Sequence, residues 1–381
     1  MIYLDQCSTS FPKARGVGDA MKTFLEDAGV NVGRGNYGAA YDVEADVLDT
    51  RERIGRLIGH PNPRGILFTS GVTESMNVFF YGYLMPGDHV VVGGMEHNAV
   101  MRPLTHLQRL RDIRYTVAET DACGFTSAEA VERAMEDDTK AVVISHASNV
   151  SGTIQPIAEI GALCRDRGIV FAVDAAQSCG ALPIDMEAMH IGFLGFTGHK
   201  SLLGPHGTGG FGIDEELAAR MEPLLVGGTG SRSDSFDQPG FLPDKFESGT
   251  QNLPGIMGLR AALMALESEG MEARHDRAMA LTARFLEGVR AIPGVVAVGY
   301  PNIEGRTAVV SVDVPAMDNA RVAFELEQGY DIMVRVGLHC APLAHKTLGT
   351  FPRGTIRFSF GPSNTEAEID TALNALEQTA R

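Results

Sequence analysis

Residues 169–177 have the sequence IVFAVDAAQ, in which five consecutive apolar residues are followed directly by Asp174. A short, uninterrupted apolar run is typical of a strand that is covered on both faces of a sheet. An aspartate at the carboxyl end of such a strand lies at the crevice where open α/β sheets bind their ligands. The alternative is that Asp174 only caps the start of the next helix, which is a common role for aspartate.

The same pattern recurs on both sides of this stretch. Strands are predicted at 66–69, 89–92, 113–117, 141–144 and 169–173, and helices are predicted near 73–84, 97–111, 126–136 and 156–167. Strands that alternate with helices in this way predict a mostly parallel sheet with helices on both faces.

After Pro254 the sequence changes in character. It is helix-rich to residue 292, and further elements are predicted as strands near 307–313 and 355–360 and a helix near 365–380. We therefore expect a large α/β domain over residues 1–255 and a smaller α+β domain over residues 256–381. The first residues, to about position 15, are the candidate segment for packing against the small domain.

A lysine follows the next apolar run, where Thr197-Gly198-His199-Lys200 comes directly after residues 191–196. A buried ammonium is costly to desolvate, so a lysine at such a position tends to become a neutral, nucleophilic amine suited to Schiff-base chemistry. Pyridoxal phosphate also needs a carboxylate beside its ring nitrogen, which Asp174 would supply. The alternative for Lys200 is a surface lysine in a turn.

The segment Ser70-Gly71-Val72-Thr73-Glu74 lies at a predicted strand-to-helix junction. Free backbone N–H groups at the start of a helix bind anions, and phosphate is the natural ligand. The alternative is an ordinary turn with a capping residue.

Two further polar residues follow predicted strands at the same edge of the sheet. His97 begins the helix after strand 89–92 and could stack on a flat cofactor ring and relay protons, or it is a surface histidine at a helix end. Asn149 follows strand 141–144 and could donate a hydrogen bond to a ring oxygen, or it serves the turn.

The C-terminal part contains two candidate residues for substrate chemistry. Alternation in the strand near 355–360 places Arg357 on the face opposite Ile356 and Phe358, where it could bind a carboxylate by a two-pronged contact or be a solvated edge-strand arginine. Cys340 lies between His339 and Pro342 in a shaped loop, where a nearby positive charge would favour the thiolate; the alternative is a buried, inert cysteine.

Composition excludes several classes of protein. The formal net charge of −16 argues against a nucleic-acid partner, and the sequence has no apolar run long enough for a membrane helix and no signal peptide. The five cysteines (Cys7, Cys123, Cys164, Cys179 and Cys340) have no metal-ligand spacing, so no metal site is predicted, and reduced thiols in the cytoplasm are expected. The four cysteines other than Cys340 are interpreted as buried and inert.

Taken in order, these segments resemble the class V branch of the fold-type I pyridoxal-phosphate enzymes, and more closely the cysteine desulfurase and selenocysteine lyase family. The resemblance spans nearly the whole chain, and its segments are 69–75, 96–100, 148–152, 173–177, 199–200, 249–250, 337–342 and 356–359. It implies a large domain with a mostly parallel, seven-stranded type of sheet and a smaller α+β C-terminal domain.

The resemblance also implies roles for individual residues. For the cofactor, Lys200 would bind pyridoxal 5'-phosphate covalently, Asp174 would pair with the ring nitrogen and Gln177 would bind the ring hydroxyl oxygen. His97 would stack on the ring with support from Asn149. Val72, Thr73 and His199 would hold the phosphate, and Thr197 would be a further cofactor-binding residue. Thr250 would reach the phosphate of the partner subunit, which implies a homodimer.

For the substrate, Arg357 together with Asn149 would bind the carboxylate of L-cysteine or L-selenocysteine. Cys340 would receive the sulfur as a persulfide and pass it to an acceptor protein. Val72 replaces a common alanine and Thr197 a common serine, and the loop around Cys340 is short.

Other functions stay open at this point. The chain could be a selenocysteine lyase, a cysteine lyase or an aminotransferase in which Cys340 is incidental. It could also be a non-catalytic scaffold for sulfur-carrier proteins, although Lys200 and Asp174 argue against that.

Overall fold

The computed structural model describes residues 1–32 and 37–380. Its strands are β1 (Ile2–Tyr3), β2 (Ile66–Thr69), β3 (His89–Val92), β4 (Arg114–Val117), β5 (Thr139–Ser145), β6 (Val170–Asp174), β7 (Phe193–Thr197), β8 (Gly209–Ile213), β9 (Val296–Val298), β10 (Val309–Asp313), β11 (Ile332–Met333), β12 (Arg335–Gly337) and β13 (Thr355–Ser359).

The α-helices of the described residues are α1 (Val17–Thr23), α2 (Gly38–Ile58), α3 (Val72–Tyr83), α4 (Asn98–Arg111), α5 (Ala128–Ala134), α6 (Ile157–Arg167), α7 (Glu215–Arg220), α8 (Leu253–Glu269), α9 (Met271–Ala291), α10 (Asn319–Tyr330), α11 (Pro342–Thr347) and α12 (Glu366–Thr379). The described residues also contain a π-helical turn at Phe24–Ala28 and a 3₁₀ turn at Pro63–Gly65.

Among the described residues, seven strands form a central sheet in the order β2-β8-β7-β6-β5-β3-β4. Strand β8 runs antiparallel to both of its neighbours, and the remaining pairs are parallel. The prediction of a mostly parallel α/β sheet is therefore confirmed. Because the parallel strands end at one edge, the residues that follow β3, β5, β6 and β7 meet there.

Both faces of the central sheet are covered. Phe171 and Val173 of β6 pack into one apolar core, and Ala172 between them packs into the core on the opposite face. This two-sided burial is why the strand is an unbroken apolar run in the sequence. Helices α5 and α6 cover the first face, and helices α3, α4 and α7 cover the second.

The C-terminal strands form a separate four-stranded antiparallel sheet in the order β12-β13-β10-β9. Its core includes Leu4 from the N-terminal segment, and β1 pairs in parallel with β11. Helix α8 contributes Leu259, Leu263 and Leu266 to a core of the large sheet. The domain boundary at residues 255/256, which falls inside α8, stays a prediction.

The structure contains strand β8 at residues 209–213, where the sequence pattern predicted no strand. Its sequence GGFGI resembles a turn because glycine is depleted in strands. The glycines are explained by close packing: a Cβ on Gly210 would lie 2.1 Å from the carbonyl oxygen of Leu67. None of the helices in the described residues is both long enough and apolar enough to cross a membrane.

Candidate active site

Asp174 and Lys200 follow neighbouring strands at the carboxyl edge of the sheet. Strands β6 and β7 pair in parallel with Asp174 opposite Gly195, so the segment after β7 returns close to Asp174. Asp174 is buried, and its Oδ1 accepts a hydrogen bond of 2.9 Å from the Ala176 N–H. Burial raises the pKa of the Asp174 carboxyl, and the nearby positive charge of Lys200 partly opposes that shift.

Lys200 has the electrostatic surroundings of a reactive amine. Burial lowers its pKa, and the positive charges of Arg357 and Arg335 act in the same direction. Negative charge on Cys7 and Asp174 opposes the shift. A lowered pKa increases the fraction of neutral amine, which is the nucleophile for a carbonyl carbon.

The start of helix α3 forms the predicted anion-binding turn. Gly71 is the N-terminal cap residue, and the N–H of Val72 donates to Thr197 Oγ1 at 3.1 Å, which ties the turn to the end of β7. A Cβ on Gly209 would lie 2.5 Å from the Gly71 Cα, so only glycine allows β8 to approach this turn. Thr73 is exposed at the opening of the helix.

His97 is the N-terminal cap of helix α4. Its Nδ1 accepts a hydrogen bond of 3.0 Å from the Ala99 N–H, so the neutral ring carries its proton on Nε2. Burial and then the charge of Lys200 lower the pKa of His97 to about 4. Proton relay through His97 would require the ring to become charged, which this environment opposes, so the structure favours a neutral ring that donates from Nε2.

Asn149 and Arg357 lie in direct contact, and both are buried. The Asn149 side chain donates to the carbonyl oxygen of His339 at 2.7 Å, and the main-chain carbonyl oxygen of Asn149 accepts from Arg357 Nη1 at 2.9 Å. Arg357 Nη2 donates to Asp5 Oδ1 and Ser8 Oγ, both at 2.7 Å. Strand β13 is an interior strand, so Arg357 is not a solvated edge residue.

These contacts limit how Arg357 can bind a carboxylate. Both hydrogens of Nη2 are engaged, whereas Nε is buried without a hydrogen-bond partner in the described chain and Nη1 has one hydrogen to spare. A carboxylate can therefore reach the free Nε hydrogen, whereas both two-pronged pairs, Nε–Nη2 and Nη1–Nη2, include Nη2 and are blocked while Asp5 and Ser8 stay in place.

Gln177 contacts the N-terminal segment rather than another residue of the sheet edge. Its Nε2 donates to the carbonyl oxygen of Cys7, and its Oε1 accepts from the Cys7 thiol, both at 3.2 Å. Cys7 is buried, as the sequence interpretation expected, but it lies within the candidate site and not in a remote core.

His199 belongs to a basic cluster around one hydroxyl group. Thr9 Oγ1 lies 3.0 Å from His199 Nδ1, from His206 Nε2 and from Lys13 Nζ. Burial lowers the pKa of His199 to about 4 and that of Lys13 to about 8. Thr250 is exposed and lines a different cleft, with Ser70 and Glu74.

Cys340 is exposed, and its loop holds it over the site. It adopts a left-handed backbone conformation (φ 57°), and its carbonyl oxygen accepts from the Asn98 N–H at 2.8 Å. Arg335 Nη2 lies 3.5 Å from Cys340 Sγ. Thr73, His97 and Cys340 line one surface cleft. The structure thus joins the C-terminal loop to the start of α4.

Sequence reasoning missed several residues of the site. Arg335 connects Cys340 to Ser8, because its Nη1 donates to Ser8 Oγ at 3.0 Å. The sequence contains one indication of Arg335, which is its alternation with Val336 in a strand. In the structure, Arg335 lies opposite Arg357 in the β12–β13 register. Asp5, Ser8 and Cys7 gave no signal, because a short N-terminal run carries no pattern that places it at a distant sheet edge.

The arrangement defines a class of protein. A low-pKa lysine beside a buried aspartate, with the N-terminus of α3 tied to the end of β7, provides an amine for a Schiff base, a carboxylate for a ring nitrogen and donors for a phosphate. The unpartnered Nε of Arg357 leaves a buried donor for an anionic substrate. The residues present fit pyridoxal 5'-phosphate, and the class is that of a fold-type I enzyme dependent on this cofactor.

Comparison with known proteins identifies the family. The family model "Aminotransferase class-V" matches residues 2–372, and the chain belongs to this pyridoxal-phosphate-dependent family. The chain is 33% identical to a probable cysteine desulfurase of Methanothermobacter thermautotrophicus, covering 100% of this chain and 94% of the relative. It is also 33% identical to the cysteine desulfurase IscS of Vibrio campbellii, covering 98% and 91%.

Solved structures give the same result for the fold. An apo cysteine desulfurase from Thermococcus onnurineus NA1 superposes with a TM-score of 0.92 at 31% identity, covering 99% of this chain and 94% of that one. The cysteine desulfurase CsdA from Escherichia coli, in an S-sulfonic acid form, gives 0.88 at 28% identity, covering 99% and 94%.

Proposed function

We propose that this protein is a cysteine desulfurase, which converts L-cysteine to L-alanine and transfers the sulfur to Cys340. One observation carries the proposal: an exposed thiol, next to the guanidinium of Arg335, lines the same cleft as His97. An amino-acid lyase or aminotransferase does not need a nucleophilic thiol at this place, whereas sulfur transfer does.

When bound, pyridoxal 5'-phosphate supplies an electron sink for negative charge that develops at the Cα of an amino acid. Lys200 Nζ, whose lowered pKa leaves it able to accept a proton, removes the proton from that Cα. We assign the ring nitrogen to Asp174 and the ring hydroxyl to Gln177. Thr73, Val72, Thr197 and His199 are proposed to hold the phosphate at the start of α3.

The substrate carboxylate is proposed to bind the free Nε–H of Arg357, with Asn149 beside it. His97 is proposed to stack as a neutral ring and to donate a hydrogen bond from Nε2. Burial of Arg357 makes this ion pair stronger than one at the surface, because little water competes with it.

In the sulfur step, Cys340 Sγ attacks the substrate sulfur and the Cβ–S bond breaks, so that its electron pair stays with the carbon. Carbon is thereby reduced, and the two sulfurs share the oxidation as a persulfide. The overall reaction balances as L-cysteine plus the Cys340 thiol giving L-alanine plus the Cys340 persulfide. Arg335 stabilises negative charge on Sγ during the attack.

Mass spectrometry of the protein after incubation with L-cysteine tests the proposal. We expect one additional sulfur on the peptide that contains Cys340, together with an equal amount of alanine. Cys123 serves as an internal control, because it is far from this loop in sequence and is half-buried, not buried as the sequence interpretation expected. Alanine without added sulfur on Cys340, or a keto acid instead of alanine, would contradict the proposal.

We further propose a homodimer in which Thr250 reaches the partner's phosphate site. The segment before Thr250 carries exposed apolar side chains, Leu225, Val226 and Phe236 among them, which a second copy would cover. The large domain is proposed to span residues 1–255 and the small one 256–381. Light scattering of the purified protein tests the dimer: a monomer mass at micromolar concentration would contradict it.

The proposed persulfide is passed to an acceptor protein, because the Cys340 side chain is exposed. All five cysteines are unpaired. A location in the cytoplasm, where thiols stay reduced, is proposed on that basis.

A further inference from the structure

We propose that Cys7 is a positioning residue of this active site, whose thiol orients the side-chain amide of Gln177 beside the Lys200 amine. The proposal rests on the proposed function in one respect, since that function assigns Gln177 to the cofactor ring. Cys7 itself would not touch substrate sulfur; it would act through its two neighbours.

The Cys7–Gln177 contact is reciprocal. The Cys7 thiol donates to Gln177 Oε1, and Gln177 Nε2 donates to the Cys7 carbonyl oxygen, each at 3.2 Å. An amide rotated by 180° would turn Nε2 toward the thiol and Oε1 toward the carbonyl oxygen, where two acceptors would repel. The pair therefore fixes one amide orientation and leaves the second Nε2 hydrogen for a ring oxygen.

Cys7 itself is held in place from three sides. Its N–H donates to Ser359 Oγ at 2.9 Å, and the flanking Asp5 and Ser8 both accept from Arg357 Nη2 at 2.7 Å. The side chain is 6% exposed. A thiol on a segment anchored in this way cannot turn to solvent, so its contact with Gln177 is part of the framework of the site.

Cys7 also lies beside Lys200. Cys7, Gln177 and Lys200 line one cavity. Only the thiolate form of Cys7, which cannot donate to Gln177, carries the negative charge that raises the pKa of Lys200, and this charge is the first effect that opposes burial. The charged and titratable groups that act on Lys200 are Cys7, Asp174, Arg357 and Arg335, together with His97 and His199, whose own pKa values respond to Lys200.

Two substitutions separate the hydrogen bond from the charge. Cys7→Ser keeps a donor toward Gln177 Oε1 but cannot ionise, whereas Cys7→Ala removes both. Cys164→Ala is the matched control, because Cys164 is also a fully buried thiol but lies in α6 within the core of the large sheet. Thermal unfolding of each variant establishes that it is folded before comparison.

The experiment measures two quantities, and neither requires turnover. The first is the dissociation constant of pyridoxal 5'-phosphate for the apo protein, obtained by absorbance titration. The second is the pH midpoint of amine labelling at Lys200 in the apo protein, obtained by peptide mass spectrometry. A wild-type protein without desulfurase activity would contradict the proposed function, and the two quantities would still test the role of Cys7.

We expect Cys7→Ala to weaken cofactor affinity about two- to tenfold, the effect of one hydrogen bond, and to lower the labelling midpoint of Lys200. Cys7→Ser should restore the affinity but not the midpoint. Unchanged affinity and midpoint in Cys7→Ala, or equal changes in Cys164→Ala, would overturn the proposal.

Discussion

Lys200 and Cys340 differ in how the chain holds them. Lys200 follows a strand of the central sheet and lies among buried, charged groups that shift its pKa. Cys340 is exposed on a left-handed turn, and its carbonyl oxygen accepts a hydrogen bond from the start of α4. The difference suits two tasks: chemistry at an amino-acid carbon needs a dry, rigid amine, and sulfur delivery needs a thiol that a partner can reach.

The largest effect on activity is expected from the loss of Lys200. Lys200→Ala should reduce alanine formation roughly 10³-fold or more, because it removes both a nucleophile and a proton acceptor. Alanine release under saturating L-cysteine measures it. Lys140→Ala is the control, since Lys140 is exposed on β5 and lies outside the proposed site. Wild-type turnover in Lys200→Ala would show that Lys200 is neither the nucleophile nor the proton acceptor of the reaction.

Cys340→Ala tests the other side of the comparison. Turnover should fall on the order of 10²-fold or more, because the nucleophile for sulfur is lost, whereas binding of the cofactor at Lys200 should be unchanged. The visible absorption of the bound cofactor and the rate of alanine release measure these separately. Sulfide release at the wild-type rate would show that no persulfide forms on Cys340.

Gly209→Ala is expected to disturb the sheet edge that carries Lys200 while it leaves the Cys340 loop unchanged. The new Cβ would meet the Gly71 Cα at 2.5 Å, so the variant should lose about 1–3 kcal/mol of stability and bind cofactor more weakly. Gly18→Ala, in helix α1 with no atom within 4 Å of the added Cβ, should instead be neutral or slightly stabilising. Urea unfolding compares the two, and equal stabilities would refute the close packing.

The smallest expected effect concerns His339, beside Cys340. Burial lowers its pKa to about 2, so below pH 6.5 the unfolded chain binds a proton that the folded chain does not. Unfolding free energy should therefore fall as pH decreases, with His339 contributing up to about 1.4 kcal/mol per pH unit.

His339→Gln should flatten that slope between pH 6 and 5, as measured by urea unfolding. The exposed His106→Gln is the control and should leave the slope as it is. A slope in His339→Gln identical to the wild type would mean that the imidazole of His339 is not held neutral.

Most of the fold could be predicted from the sequence, because the parallel strands are buried on both faces and appear as apolar runs. Helix α2 was not predicted, although Val43, Val47 and Ile54 mark its buried face at helical spacing. Strand β8 could not be predicted from its sequence pattern. Its glycines are required because the backbone of neighbouring segments lies very close to them, and the local sequence does not show that approach.

The candidate site likewise contains residues whose positions could be predicted from the sequence and residues whose positions could not. The positions of Asp174, Lys200 and His97 at the carboxyl edge of the sheet could be predicted, since Asp174 ends β6 and the other two lie in the segments after β7 and β3. The contact of Cys7 with Gln177 joins residues 170 positions apart, and that of Arg357 with Asp5 joins residues 352 positions apart. Such contacts depend on the packing of the N-terminal segment between two sheets, and no local period encodes them.

Borohydride reduction of the protein with bound pyridoxal 5'-phosphate, followed by peptide mass spectrometry, tests the central claim most directly. Reduction makes the amine linkage permanent, so the labelled position identifies the reactive lysine. We predict a single labelled residue, Lys200. Labelling at Lys13 or another lysine, or at none, would contradict the account.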